Sequence, residues 1–207
     1  ITKTALIGLI GAINGIDRVK MKGLFPILSE DLLYGVALKN HVVKETWGFT
    51  LRSTKVNLEK SPWQFEFLKA PNFEVVVALK NERSRSIFDE FVSNVENNMA
   101  HYNPTLGLAN CPADIYFIST AFASEKQTGA FTTKGFISNF HQIEINPNFD
   151  FRIGFDKMPT FQNDDFWNDP EKYLGVAYSY SEDGINVKSG NYYNVQNQNE
   201  ISQWFLI

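Results

Sequence analysis

The chain has 207 residues, of which 43% are hydrophobic, 14% aromatic and 20% charged; this excludes a disordered or fibrous polypeptide and fits one large globular domain or two small ones. Lys and Arg number 19 against 23 Asp and Glu, and the resulting net charge of -4 argues against nucleic-acid binding through bulk positive charge. The charge is regional, however: residues 1–86 carry 13 basic and 8 acidic side chains, net +5, while residues 87–207 carry 6 and 15, net -9.

At the start, Thr2 and Thr4 are placed to cap a helix whose apolar positions are Ala5, Leu6, Leu9, Ile10 and Ile13, and Asn14-Gly15 is its stop signal. Gly8, Gly11 and Gly15 permit close packing of another backbone. No G-x-G-x-x-G or G-K-[ST] pattern accompanies them, so a mononucleotide site is not supported. The apolar run from Ala5 to Ile13 is far shorter than the ~20 residues that cross a bilayer. It also lacks the basic flank and small-residue cleavage pattern of a signal peptide. With a single cysteine, Cys111, no internal disulfide can form, and a reducing, cytoplasmic setting without a membrane partner is expected.

Leu32 to Leu38 and Phe73 to Leu79 read as buried strands of one sheet. Ile87, Phe88, Phe91, Val92, Val95 and Met99 keep helical spacing between Ser84/Ser86 and Pro104. Residues 113–121, with Ile115, Phe117 and Ile118, supply a further strand. Helix, strands, helix, strand is the order of an α+β, ferredoxin-like or RNA-recognition-motif domain that lacks its first strand, which would lie upstream of Ile1. Beyond residue 122 the texture turns to strands and long loops. Candidate strands are 136–145, 149–155, 176–180 and 192–195, with turns at Asn146-Pro147-Asn148 and Glu182-Asp183-Gly184, and 161–172 is the most loop-like stretch. The expected division is residues 1–121, an RNA-binding domain with a hairpin at 42–62, and residues 122–207, a β-rich region packed on it.

The hairpin carries the most chemistry. From Val43 to Arg52, Trp47, Phe49 and Leu51 alternate with small, hydroxylated or basic residues; Arg52-Ser53-Thr54 can turn the chain and residues 55–60 return it. Lys44, Arg52, Lys55 and Lys60 are then available to phosphates, and Trp47 and Phe49 to bases. An amphipathic hairpin with a merely solvated charged face fits the same residues. His41, His101 and His141 are too scattered for a metal site. His101 with Cys111 has no nucleophile signature, and Asp164, Asp165 and Asp169 read as a solvated acidic loop. Lys39 and His41, near the foot of the hairpin, are the acid–base candidates should RNA be cleaved there without metal.

Several segments resemble one family. Lys3-Thr4-Ala5-Leu6-Ile7-Gly8-Leu9-Ile10-Gly11-Ala12-Ile13, followed by Gly15-Ile16-Asp17-Arg18, is similar to the signature first helix of the CRISPR-associated Cas-five family of the RAMP superfamily. Residues 65–75, from Phe65-Glu66-Phe67-Leu68-Lys69 onward, residues 101–108 (His101-Tyr102-Asn103-Pro104-Thr105-Leu106-Gly107-Leu108), and more weakly Arg152 and Met158-Pro159, follow in the family's order. The resemblance implies a non-catalytic subunit of the type I antiviral surveillance complex, Cascade, closest to subtype I-B. Such a subunit binds the 5′ handle of crRNA, its thumb hairpin touches the backbone (Cas-seven) and large (Cas-eight) subunits, and target DNA lies within the complex. Processing then belongs to a separate Cas-six endoribonuclease, and no cofactor or metal is implied. The thumb corresponds to Val43–Pro62, which raises Lys44, Trp47, Arg52, Lys55 and Lys60 as RNA contacts. Lys3 and Thr4 at the helix start form a second phosphate candidate. The alternative within the family is a metal-independent pre-crRNA endoribonuclease, for which Lys39 and His41 would serve.

Overall fold

The computed structural model describes residues 1–41, 43–52, 60–108, 111–144, 153–159, 173–179, 184–197 and 200–207. Helix α1 (Lys3–Ile13) begins where Thr2 accepts the Ala5 N–H at 3.2 Å and ends at Asn14, after which Gly15 adopts φ +70°. Leu6, Ile7 and Ile10 are buried along one stripe. A second helix, α2 (Arg18–Asp31), is not announced by apolar periodicity, because Gly23 and Pro26 interrupt it and its buried residues are only Leu28, Ser29 and Asp31. Its signal is local: Asp17 accepts the N–H groups of Val19 and Lys20, both at 2.9 Å, as an N-cap does.

Strand β1 (Leu32–Leu38) follows directly and pairs antiparallel with β4 (Phe73–Leu79), Leu32 opposite Leu79 and Leu38 opposite Phe73. The other edge of β1 is closed by the end of the chain. Tyr34 and Ile207 exchange backbone hydrogen bonds of 2.8 and 3.0 Å, and the Phe136 N–H donates to the Val36 carbonyl at 3.0 Å. Gly135 bridges Ala37 here, and a Cβ on it would lie 2.8 Å from the buried Trp204 indole. Gly135→Ala is therefore expected to destabilise the fold by about 1–3 kcal/mol, the usual effect of overpacking, with a change in Trp204 fluorescence; an unfolding midpoint equal to wild type would contradict this packing.

After a 3-10 turn (Glu82–Ser84), helix α3 (Arg85–Glu96) returns over the sheet, where Ile87, Phe88 and Phe91 join the cluster that holds Val75, Val77 and Leu79. The expected strand at 113–121 does not form. The stretch keeps its alternation, with Ala113, Ile115 and Phe117 half-buried between exposed neighbours, but it makes no ladder with the described residues. Alternation prepares a strand, whereas backbone hydrogen bonds to a neighbour make one. The architecture shown is α+β and rich in sheet.

In the second half, β11 (Ile185–Gln196) is the spine: it pairs with β12 (Ile201–Trp204), β5 (Phe122–Ala123), β6 (Gln127–Thr133) and β8 (Gln142–Ile143). Strand β10 (Tyr173–Ser179) joins β7 (Ile137–Ser138) and β9 (Ile153–Pro159). The strands expected at 176–180 and 192–195 fall within β10 and β11. The one expected at 136–145 breaks in two because the His141 N–H donates to the Ser138 carbonyl across a turn. Residues 145–152 and 160–172 lie outside the described residues, as do Asn146-Pro147-Asn148, Arg152, Glu182-Asp183, Asp164, Asp165 and Asp169. One core cluster runs from Leu6, Ile7 and Ile10 of α1 through Tyr34 to Phe136, Met158 and Val176.

A buried carboxylate fastens the junction of α2, β4 and α3. Asp31, 0% exposed, accepts from Arg83 Nε at 2.8 Å, Ser84 Oγ at 2.5 Å and Asn81 Nδ2 at 2.8 Å, while its backbone carbonyl accepts the Lys80 N–H at 2.7 Å. Burial by itself would raise its pKa; those hydrogen bonds and the Arg83 charge outweigh it and hold the carboxyl at about 2.

Candidate nucleic-acid interface

Strands β2 (Val43–Arg52) and β3 (Lys60–Lys69) pair only with each other among the described residues, Val43 opposite Lys69 through to Arg52 opposite Lys60. The return is thus 60–69 rather than 55–60, since Phe65 and Phe67 continue the alternation through Gln64, Glu66 and Leu68. Lys55, the turn and the side chains of Arg52 and Lys60 lie outside what is described. The hairpin grows out of the β1–β4 pair with the register displaced by one residue. Asn40 secures that step: its amide donates to the Ala70 carbonyl and its oxygen accepts the Asn72 N–H, both at 2.9 Å, and Ala70 takes φ +42°. Such a bulge bends the ribbon and aims the hairpin away from the sheet.

Alternation then sorts the side chains. Trp47 lies opposite Phe65 and Phe49 opposite Trp63, so Trp47, Phe49, Trp63, Phe65 and Phe67 share one face. Ring centroids are 6.0 Å apart for Trp47–Phe67, 5.5 Å for Phe49–Phe65 and 5.9 Å for Phe49–Phe67, mostly edge to face. Trp47 and Trp63 remain 55% and 54% exposed. Sequence reasoning reached Trp47 and Phe49 but missed Trp63, Phe65 and Phe67, whose period-two spacing in Trp63-Gln64-Phe65-Glu66-Phe67 was the available signal. At the foot of this face Lys69 meets Glu45 at 2.7 Å, and on the reverse face Lys44 meets Glu66 at 3.2 Å. The hydrogen bond from Lys69 lowers the Glu45 pKa. Both pairs are largely in water and hold by no more than about 1 kcal/mol, so a phosphate can compete for either lysine.

The remaining candidates are dispersed. Lys3 is 5% exposed and its amine donates to the Ile207 carbonyl at 3.0 Å; burial, with the Lys80 charge, lowers its pKa to about 8. It faces the interior. Thr4 shares a 2.9 Å hydrogen bond with Thr2, which itself caps α1. At the hairpin foot Lys39 is bound to Glu74 at 3.1 Å, and His41 is exposed. His101 stacks edge-on to Tyr102 at 4.6 Å beside Gly15.

A contact that sequence reasoning missed joins Ser138 Oγ to His141 Nδ1 at 2.7 Å. The Asn191 N–H donates to His141 Nε2 at 3.2 Å, so Nδ1 carries the proton and donates toward Ser138. That polarity is the reverse of a base activating a nucleophile, and Ser138 is 3% exposed. The pair ties a turn to β11. Among the described residues no group of three His, Cys, Asp or Glu side chains is placed to hold a metal, and no helix is long and apolar enough to cross a membrane.

The class that fold and site define is an α+β, sheet-rich chain projecting an aromatic-faced hairpin. No family model and no curated protein matches the sequence. Among solved structures, a chain of a "CRISPR RNA-guided surveillance complex" is similar over 92% of this chain and 78% of that chain, at 12% identity and a TM-score of 0.36.

Proposed function

We propose that the protein is a non-catalytic RNA-binding subunit of a type I CRISPR surveillance complex, holding the 5′ handle of crRNA and using the β2–β3 hairpin as its thumb against the backbone and large subunits. The observation that carries this reading is the hairpin itself, with Trp47 and Trp63 half in water on a ribbon that joins no other sheet among the described residues. Unpaired bases stack on such faces regardless of duplex geometry. The resemblance of residues 3–18, 65–75 and 101–108 to the Cas-five family supplies the biological setting. Of the RNA contacts expected from sequence, Lys44 and Trp47 stay in the proposal with Trp63 added; Arg52, Lys55 and Lys60 stay as residues of the hairpin's outer end; Lys3 and Thr4 are left out by their geometry. Lys39 is engaged by Glu74, which leaves the cleavage alternative without its free acid.

Binding of repeat-derived handle RNA and a scrambled RNA of equal length, at two salt concentrations and in chelator, tests the reading. The handle is expected to bind more tightly than the scramble, uncut, with affinity falling as salt rises. Equal affinity for both, alone and co-expressed with backbone and large subunits, would refute handle binding, and cleavage abolished in His41→Ala would install the endoribonuclease instead.

A further inference from the structure

The sequence of β4, Phe-Glu-Val-Val-Val-Ala-Leu, is that of a strand apolar on both faces, the pattern of a sheet interior. Both faces do meet cores: Val75, Val77 and Leu79 join the cluster under α1 and α3, and Val76 joins the one around Trp204. Yet all seven residues are only half-buried, whereas β1 beside it buries Leu32, Tyr34, Gly35 and Ala37. The difference is lateral. β1 is flanked on both sides, and β4 has β1 alone as a partner among the described residues.

Helix α3 repeats the observation one layer up. Ile87, Phe88, Phe91, Val92 and Val95 form an apolar stripe, and none of them is fully buried. A strand and the helix that follows it are short of cover on the same flank.

The backbone tells which groups are open. The Lys39 N–H donates to the Asn72 carbonyl and the Lys80 N–H to the Asp31 carbonyl. With the β1–β4 register, this turns the even-numbered residues of β4 toward β1 and Phe73, Val75, Val77 and Leu79 outward. No Lys, Pro or bulge guards that edge, and its one charge, Glu74, is paired with Lys39 at 3.1 Å.

We propose that the outer edge of β4 is a homodimer interface, occupied by the same edge of a second copy of this chain. The edge is self-complementary. In an antiparallel pair centred on Val76, Phe73 meets Leu79 of the second copy and Val75 meets its Val77, so every outward N–H faces an outward carbonyl and every apolar side chain an apolar side chain. The operation is a closed two-fold, with one patch serving both subunits. It joins the two β1–β4 pairs into one continuous sheet and brings the two α3 stripes to the same face. Charge raises no obstacle, since the strand's centre carries none. The inference rests on the fold alone and is independent of the RNA reading.

Light-scattering mass over a concentration series tests it on the whole chain, with Val75→Pro, which removes an outward N–H, against Val75→Ala, which removes comparable packing and keeps it. Wild type and Val75→Ala are expected at twice the monomer mass at high concentration, and Val75→Pro at the monomer mass. A wild type monomeric at its highest soluble concentration, or a dimeric Val75→Pro, overturns the proposal. Should Val75→Pro fail to fold by circular dichroism, hydrogen exchange on wild type decides: the Val75 and Val77 amides slow down as protein concentration rises if the edge is paired, and concentration-independent exchange there overturns it.

Discussion

Asp31→Asn is expected to lower stability at neutral pH by about 3 kcal/mol, the lower end of what breaking a buried ion pair costs, because Arg83 on the other side remains 52% exposed. The substitution keeps the shape but removes the charge that three donors converge on, and the new amide turns a donor toward groups that are themselves donors. The pH dependence gives the sharper signature. The Asp31 carboxyl titrates at about 2 in the fold, below its ordinary value of 3.8. Its contribution is therefore fully present above pH 4 and is lost as the pH falls from about 4 toward 2. Linkage assigns roughly 2 to 3 kcal/mol to that ionisation. Urea midpoints should thus separate wild type from Asp31→Asn at pH 7 and converge toward pH 2. A gap that stays constant across that range would mean that packing, not charge, holds the junction of α2, β4 and α3.

What the sequence made legible is what local chemistry decides. Thr2, Asn14 and Gly15 delimit α1 by capping and by a left-handed backbone, and the β1, β4 and α3 segments carry one period each. Helix α2 escaped because its evidence is a cap, Asp17, ahead of a stretch broken by Gly23 and Pro26 and buried mainly through Leu28. Residues 113–121 misled in the opposite sense: their alternation is real, but the partner that would turn it into a strand is not encoded in the stretch itself. For the hairpin, the first strand and its aromatic face were readable, while the length of the return depended on pairing Phe65 with Trp47 and Trp63 with Phe49, a tertiary fact. The placement of Lys3 shows the same limit. A lysine at a helix start reads as solvent-facing, and only the approach of Ile207 from the far end of the chain takes it inside.

On the proposed function, truncating the aromatic face and reversing the nearby charge should affect RNA binding in distinguishable ways. Trp47→Ala and Trp63→Ala are each expected to weaken binding of unpaired handle RNA by about 1–3 kcal/mol, roughly tenfold to a hundredfold in Kd. Because stacking releases no counterions, the slope of log affinity against log salt should stay where it was. Lys44→Glu should reduce that slope by about one if its amine leaves Glu66 for a phosphate. Lys44 projects from the face opposite Trp47, so the two effects should be nearly additive in the double variant unless a single nucleotide spans both faces. The exposed tryptophans are more than 50% accessible, so their truncation should leave the melting temperature nearly unchanged, and binding losses can be read as lost contacts. If affinity survives in Trp47→Ala with Trp63→Ala combined while Lys44→Glu still flattens the salt slope, the RNA runs along the charged face. The aromatic face is then left for protein, as the thumb's expected contacts with neighbouring subunits would require.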